Sequence, residues 1–166
     1  MIIIIEGIDR VGKTTLANMI AKKFNYPIFK DHPVTDAKFS NENVNIEKIN
    51  VLISLMESGA LPNIILDRGH FTEFVYGYID RHYTNDFLDI FDERLSKLKN
   101  LILIYVKPED IERSSREHGL DLTRHNILMN TCVNNSKIKN IIKTSYSDLN
   151  NVLYKLEYEY FLKKLN

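Results

Sequence analysis

Apolar residues recur along this chain in two rhythms, short continuous runs and positions three or four apart, and the two alternate from end to end. The runs fall at 1–5, 26–29, 63–66, 101–106 and 140–143. The runs at 1–5 and 101–106 are continuous, and the first, β-branched throughout after Met1, predicts a central parallel strand covered on both faces; 63–66 reads as an apolar strand, and 26–29 and 140–143 as short strands. Between the runs, Leu16, Met19, Ile20 and Phe24 mark a helix over 14–24, ended by Asn25 and Pro27. Ile46, Ile49, Leu52, Ile53 and Met56 mark a second helix, stopped by Gly59 and Pro62. A third covers 71–78, with Gly77 as a point where it bends. A fourth, 87–98, carries Leu88, Phe91, Leu95 and Leu98. The charged stretch 109–118 predicts a short exposed helix running into Gly119, and 122–133 is more weakly helical. The last helix covers 147–165, with Ser147 as its N-cap. Residues 30–40, polar and broken by Pro33, read as a loop. About five strands alternating with helices indicate an α/β domain with a parallel sheet and helices on both faces.

Composition narrows the partners. With 166 residues and 44% apolar content, the chain can bury a real core as one domain, 1–166. Lys+Arg and Asp+Glu are both 22, so bulk charge gives no support to a nucleic-acid or membrane partner. Cys132 is the one cysteine, which precludes an internal disulfide and reads as a small buried side chain. No apolar run approaches the ~20 residues of a membrane span, and no secretory leader pattern opens the sequence. A cytoplasmic protein is the expectation.

Chemistry enters at the end of the first strand. The spacing Gly7-x-x-x-x-Gly12-Lys13-Thr14 satisfies the phosphate-binding loop pattern, with a strand before it and a helix after it. Such a loop turns backbone N–H groups inward, over the positive end of the next helix dipole. Gly7, Asp9, Val11, Gly12, Lys13, Thr14 and Thr15 would cradle ATP, Lys13 reaching the β- and γ-phosphates and the Thr14 hydroxyl holding Mg²⁺. The fold expected is the three-layer α/β/α arrangement of phosphate-loop NTPases. A second polar cluster, Asp67-Arg68, closes the strand at 63–66, and Lys30 and His32 follow the strand at 26–29. In parallel sheets ligands sit beyond the strands' carboxyl ends, where all three clusters lie.

At these residues the sequence resembles a family. Glu6-Gly7-Ile8-Asp9-Arg10-Val11-Gly12-Lys13-Thr14-Thr15 resembles the phosphate loop of thymidylate kinases, E-G-x-D-x-x-G-K-[ST]-[ST]. Asp67-Arg68 resembles that family's D-R motif. The wider Leu66-Asp67-Arg68-Gly69-His70-Phe71-Thr72-Glu73-Phe74-Val75-Tyr76-Gly77 is similar to thymidylate-kinase-like proteins of bacteriophages. The resemblance implies an ATP-dependent nucleoside or nucleotide kinase of nucleotide biosynthesis, a lid over 109–125 and a homodimer. The acceptor side departs from the family: residues 50–56 hold no arginine to read thymine, and Lys30-Asp31-His32-Pro33 stands where an arginine segment belongs. Related deoxynucleoside kinases share the architecture but usually carry E-R-S where Asp67-Arg68 stands.

The candidate roles follow. Lys13, Arg10, Asp67 and Arg68 would carry phosphoryl transfer. Arg10 could bridge donor and acceptor phosphates with its planar fork. Asp67 would hold Mg²⁺ through water or act as a base, the latter needed only for a hydroxyl acceptor. Arg68 would bind an acceptor phosphate, and Asp9 would face the acceptor sugar or its phosphate. Lys30, His32, Phe71 and Phe74 would complete the acceptor site, the aromatics as a stacking wall. Arg113 and Arg116, three apart on the lid helix, would touch the donor phosphates; Arg124 is a weaker candidate. The five histidines are scattered, with none at metal-ligand spacing. Three acceptors stand open: a deoxynucleoside monophosphate, a deoxynucleoside hydroxyl, and a modified base or end of DNA. A nucleotide-binding module without kinase activity is the rival class, although the N-K-x-D guanine pattern of GTPases does not occur.

Overall fold

The computed structural model describes residues 1–30, 42–84 and 86–165, with the backbone alone over 160–165. His32 lies outside the described residues. The apolar runs become five parallel strands, β1 (Ile2–Glu6), β2 (Ile28–Lys30), β3 (Ile64–Asp67), β4 (Leu101–Val106) and β5 (Ile141–Thr144), in the order β2-β3-β1-β4-β5. Every residue of β1, β3 and β4 is buried, which accounts for strands that read as continuous rather than alternating. The register sets Ile5 beside Asp67, Lys30 beside Asp67, and Glu6 beside Tyr105. β1 is central, flanked by β3 and β4, so the loops leaving these three strands open on one edge of the sheet.

The helices are α1 (Lys13–Phe24), α2 (Glu42–Glu57), α3 (His70–Asp80), α4 (Leu88–Ser96), α5 (Ile111–His118), α6 (Thr123–Asn135) and α7 (Leu149–Leu165). α1 packs on β1, β2 and β3 and meets α7, which covers β5; α2, α3, α4 and α6 pack on one another. The result is the three-layer α/β/α arrangement. Among the described residues, no helix is long and apolar enough to cross a membrane.

Three local expectations change. Ser147 does not cap the last helix: a 3-10 turn, Tyr146–Asp148, intervenes and α7 begins at Leu149. The Ser147 N–H instead donates to Glu109 Oε1 at 2.6 Å, tying this turn to the segment before α5. The second strand sits later than the apolar run 26–29, because its register with β3 pairs Ile28 with Ile65 and Lys30 with Asp67. α3 continues through Gly77, where the missing side chain serves packing, since a Cβ there would collide with the Tyr83 ring.

Candidate functional site

The site begins with an acid inside an apolar strand. Glu6 ends β1 fully buried, and its carboxylate accepts hydrogen bonds from the N–H groups of Phe71 and Thr72, each at 3.0 Å, and from the Thr72 hydroxyl. These are unpaired donors of the first turn of α3, so Glu6 acts as that helix's anionic cap from another strand. The bond fixes the Asp67-Arg68-Gly69 turn against the phosphate loop. Gly69 must lack a side chain, since its Cβ would lie 2.7 Å from Glu6 Oε1 and 2.6 Å from Ile4 Cγ2.

The phosphate loop follows at once. Gly7 (φ 147°) and Gly12 (φ 97°) adopt left-handed backbone, and a Cβ on Gly7 would stand 2.5 Å from the Val106 carbonyl oxygen. Arg10 (φ 65°) and Arg68 (φ 87°) hold left-handed conformations too, which cost about 1 kcal/mol or more each in a residue bearing a Cβ. Both arginines line the same cleft, of about 640 Å³, together with Lys13, Thr14, Arg113 and Tyr146. Val11 borders the cleft as well, with its side chain buried.

Within the cleft the charged groups are shared. Lys13 is buried; its ammonium donates to the Ile8 carbonyl at 2.6 Å and lies 3.6 Å from Asp9 Oδ1. Burial pulls the Lys13 pKa down to about 8, against the opposing pull of Asp9. Asp9 Oδ1 also accepts from Arg68 Nη2 at 2.8 Å, and His118 Nε2 lies 2.9 Å from Asp9 Oδ2. Burial pushes the Asp9 carboxyl upward, but Lys13, Arg68 and His118 together outweigh it and hold it below the usual carboxylate range. The Asp9 N–H donates to the Tyr76 hydroxyl at 2.8 Å, joining the loop to α3.

The Thr14 hydroxyl donates to Asp67 Oδ2 at 2.7 Å, while Asp67 Oδ1 is buried without a hydrogen-bond partner. A hydroxyl and a carboxylate with an unsatisfied oxygen form a hard-oxygen donor set. Mg²⁺ favours such a set, taking one or two protein ligands and completing its shell with water and phosphate oxygens. Asp67 and Thr14 therefore fit a magnesium ion carried on a polyphosphate.

The remaining candidates divide. Arg113 lines the cleft while paired with Glu117 at 2.8 Å. Arg116 does not line it and lies 3.9 Å from Glu112 on exposed helix surface. Arg124 is exposed and also outside the cleft. Lys30 is exposed at the end of β2. Phe71 is not a stacking wall: it is 1% exposed, its ring packed in the core beside His70. The first turn of α3 faces the sheet, so helical spacing alone could not separate core from site. Phe74 is half-buried and contacts Tyr78 and Phe87. Sequence reasoning missed His118 and the capping role of Glu6. An acid closing an otherwise apolar strand was a legible signal for Glu6; nothing local marked His118.

Comparison with known proteins agrees with the architecture. No family model matches the chain. The fold is that of nucleoside and nucleotide kinases: deoxyadenosine kinase from M. mycoides with bound dCTP superposes at a TM-score of 0.54 with 19% identity, over 95% of this chain and 100% of that one. Thymidylate kinase from Candida albicans gives 0.51 with 18% identity, over 98% and 92%. A stronger likeness is to the SPbeta prophage-derived uncharacterized protein YorR of Bacillus subtilis (strain 168), 27% identical over 121 residues, 71% of this chain and 69% of that protein. The crystal structure of YorR in complex with phosphorylated GDP superposes at 0.74 with 22% identity, over 97% and 98% of the two chains.

Proposed function

We propose that this protein is an ATP- and Mg²⁺-dependent kinase acting in the cytoplasm on a nucleotide, in the first place a deoxynucleoside monophosphate. The observation that carries the reading is that Lys13, Thr14 and Arg68 line one cleft, with Asp67 behind it hydrogen-bonded to Thr14. In this reading the loop N–H groups and Lys13 hold the donor phosphates, and Thr14 and Asp67 hold the magnesium ion. That ion would neutralise charge on the bridging phosphate oxygens. Arg68 holds the acceptor phosphate, and Arg10 reaches between donor and acceptor. Arg113 adds positive charge from the lid, 109–125, and Phe74 and Lys30 border the acceptor side.

The state of Asp9 supports a phosphate acceptor. Its oxygens are already engaged, Oδ1 by Arg68 and Oδ2 by His118, and against the upward push of burial Lys13, Arg68 and His118 hold its pKa below the usual carboxylate range, which makes it a weak base. An ionised phosphate monoester needs no base whereas a sugar hydroxyl does. A hydroxyl acceptor is the second reading. It is favoured by the M. mycoides deoxyadenosine kinase with products dCMP and dCDP, whose TM-score of 0.58 exceeds the 0.51 of thymidylate kinase.

The test is a kinase assay with a panel of nucleoside monophosphates, nucleosides and single-stranded DNA. Transfer to monophosphates is the expected result. Transfer to nucleosides or DNA alone would overturn the choice of acceptor, and ATP hydrolysis indifferent to every acceptor would favour a nucleotide-binding module. Lys13→Ala should abolish turnover; unchanged turnover would reject the phosphate-loop assignment itself.

A further inference from the structure

Helix α5 forms one wall of the cleft and is thinly anchored. Ser114 is its one buried residue. The helix starts at Asp110, whose side chain accepts from the Arg113 N–H at 2.9 Å, and stops at Gly119, in left-handed backbone with open space around it. An element with so little buried apolar surface opens at low free-energy cost. Among the described residues, the polar contact that ties α5 to the phosphate loop is made by its last residue, His118, to Asp9. The other ring nitrogen, Nδ1, is buried without a hydrogen-bond partner, so the imidazole is held through Nε2 alone.

Asp9 is not a passive acceptor. Its Oδ1 takes the Arg68 guanidinium at 2.8 Å and lies 3.6 Å from Lys13, while Oδ2 meets His118 at 2.9 Å. One carboxylate is thus divided between the donor-side lysine, the acceptor-side arginine and the lid. We propose that His118 is a positioning residue that latches α5 over the donor site through Asp9, and that Asp9 couples this closure to acceptor binding through Arg68. The inference rests on the phosphoryl-transfer reading above for its purpose, though not for its geometry. An acceptor phosphate competes with Asp9 for the Arg68 fork and leaves the Asp9 carboxylate more fully to His118. The latch then tightens when both substrates are present, and water is kept from the donor phosphate when it matters.

Two measurements separate this latch from the kinase reading. Amide hydrogen exchange over 111–118, with a non-hydrolysable ATP analogue bound, reads closure without any turnover. His118→Ala should speed exchange there roughly tenfold, as expected for losing one hydrogen bond to a carboxylate, while exchange in the strands is unchanged. His118→Gln, which keeps an N–H donor, should recover most of the protection, and His118→Phe, which keeps the ring bulk without the donor, should not. Equal exchange in all four proteins overturns the latch. In the coupled assay, His118→Ala should raise the share of ATP lost to water several-fold relative to acceptor phosphorylated, with the melting temperature unchanged. Adding Asp9→Asn should then cause little further rise in exchange over 111–118, and additive effects of the two substitutions on that exchange would refute the shared His118–Asp9 contact. If wild type phosphorylates no acceptor, the kinase reading fails while the exchange experiment still decides the latch.

Discussion

At the scale of single residues, burial sets the chemistry of Lys13. Desolvation brings its pKa from 10.5 to about 8, and a bound polyphosphate favours the charged form and raises it again. In the window above about pH 8 the free protein has lost a proton that the complex retains. ATP affinity should therefore be level below that pH and fall by up to about tenfold per unit above it. Calorimetry in two buffers of different ionisation enthalpy checks this: the heats should differ near about pH 9 and agree near about pH 7. A pH-independent affinity would show that Lys13 does not meet the phosphates. For folding the sign is reversed. Between about 8 and 10.5 the unfolded chain holds a proton on Lys13 that the native chain does not, so this group's contribution makes stability rise with pH across that window. Cys132 is the opposite case, a thiol that burial pushes up to about 12, which agrees with its sequence reading as a small buried side chain.

At the scale of elements, α3 owes its position to Glu6. Removing that carboxylate leaves two buried N–H groups without acceptors, so Glu6→Ala should cost about 2–4 kcal/mol. Glu6→Gln, which keeps one acceptor oxygen, should cost less. Gly69→Ala should cost about 1–3 kcal/mol through contact with Ile4 and Glu6, although φ at Gly69 is −144° and imposes no strain by itself. Urea midpoints measure all three; a neutral Glu6→Ala would show that α3 is held by packing alone. The helices and strands were largely legible because each apolar rhythm reports what its segment buries. Phe71 and Ser147 were not. Both sit where an element begins, and the first turn is oriented by its tertiary neighbours: Glu6 for α3, Glu109 for the turn before α7.

At the scale of the molecule, the exposed apolar residues of α2 bear on assembly. Val44, Val51 and Leu55 are 48%, 48% and 39% exposed, on the helix group away from β5. Val44 and Val51 border an apolar groove with Phe29 and Leu52. With the homodimer implied by the family resemblance, the expectation is a solution mass of twice the 19.4 kDa chain, returned to that of one chain by Val51→Glu. Sedimentation equilibrium measures it, and a single-chain mass for wild type at high concentration would remove the dimer.

The sequence by itself determined the layered α/β fold, because continuous apolar strands and amphipathic helices in alternation leave few other ways to bury a core. It also made the phosphate-loop pattern legible, because Gly7, Gly12 and Lys13 fall within one short stretch that needs only a strand before and a helix after. Tertiary structure decided what those residues are connected to. His70, His118 and His125 read as scattered, yet each meets a carboxylate, Asp92, Asp9 and Asp80, at separations of 22, 109 and 45 residues. Contacts of that kind leave no local period in the chain. They form only when segments far apart in the chain are packed together, α3 against α4 and α6 for His70 and His125, and α5 over the end of β1 for His118 on Asp9.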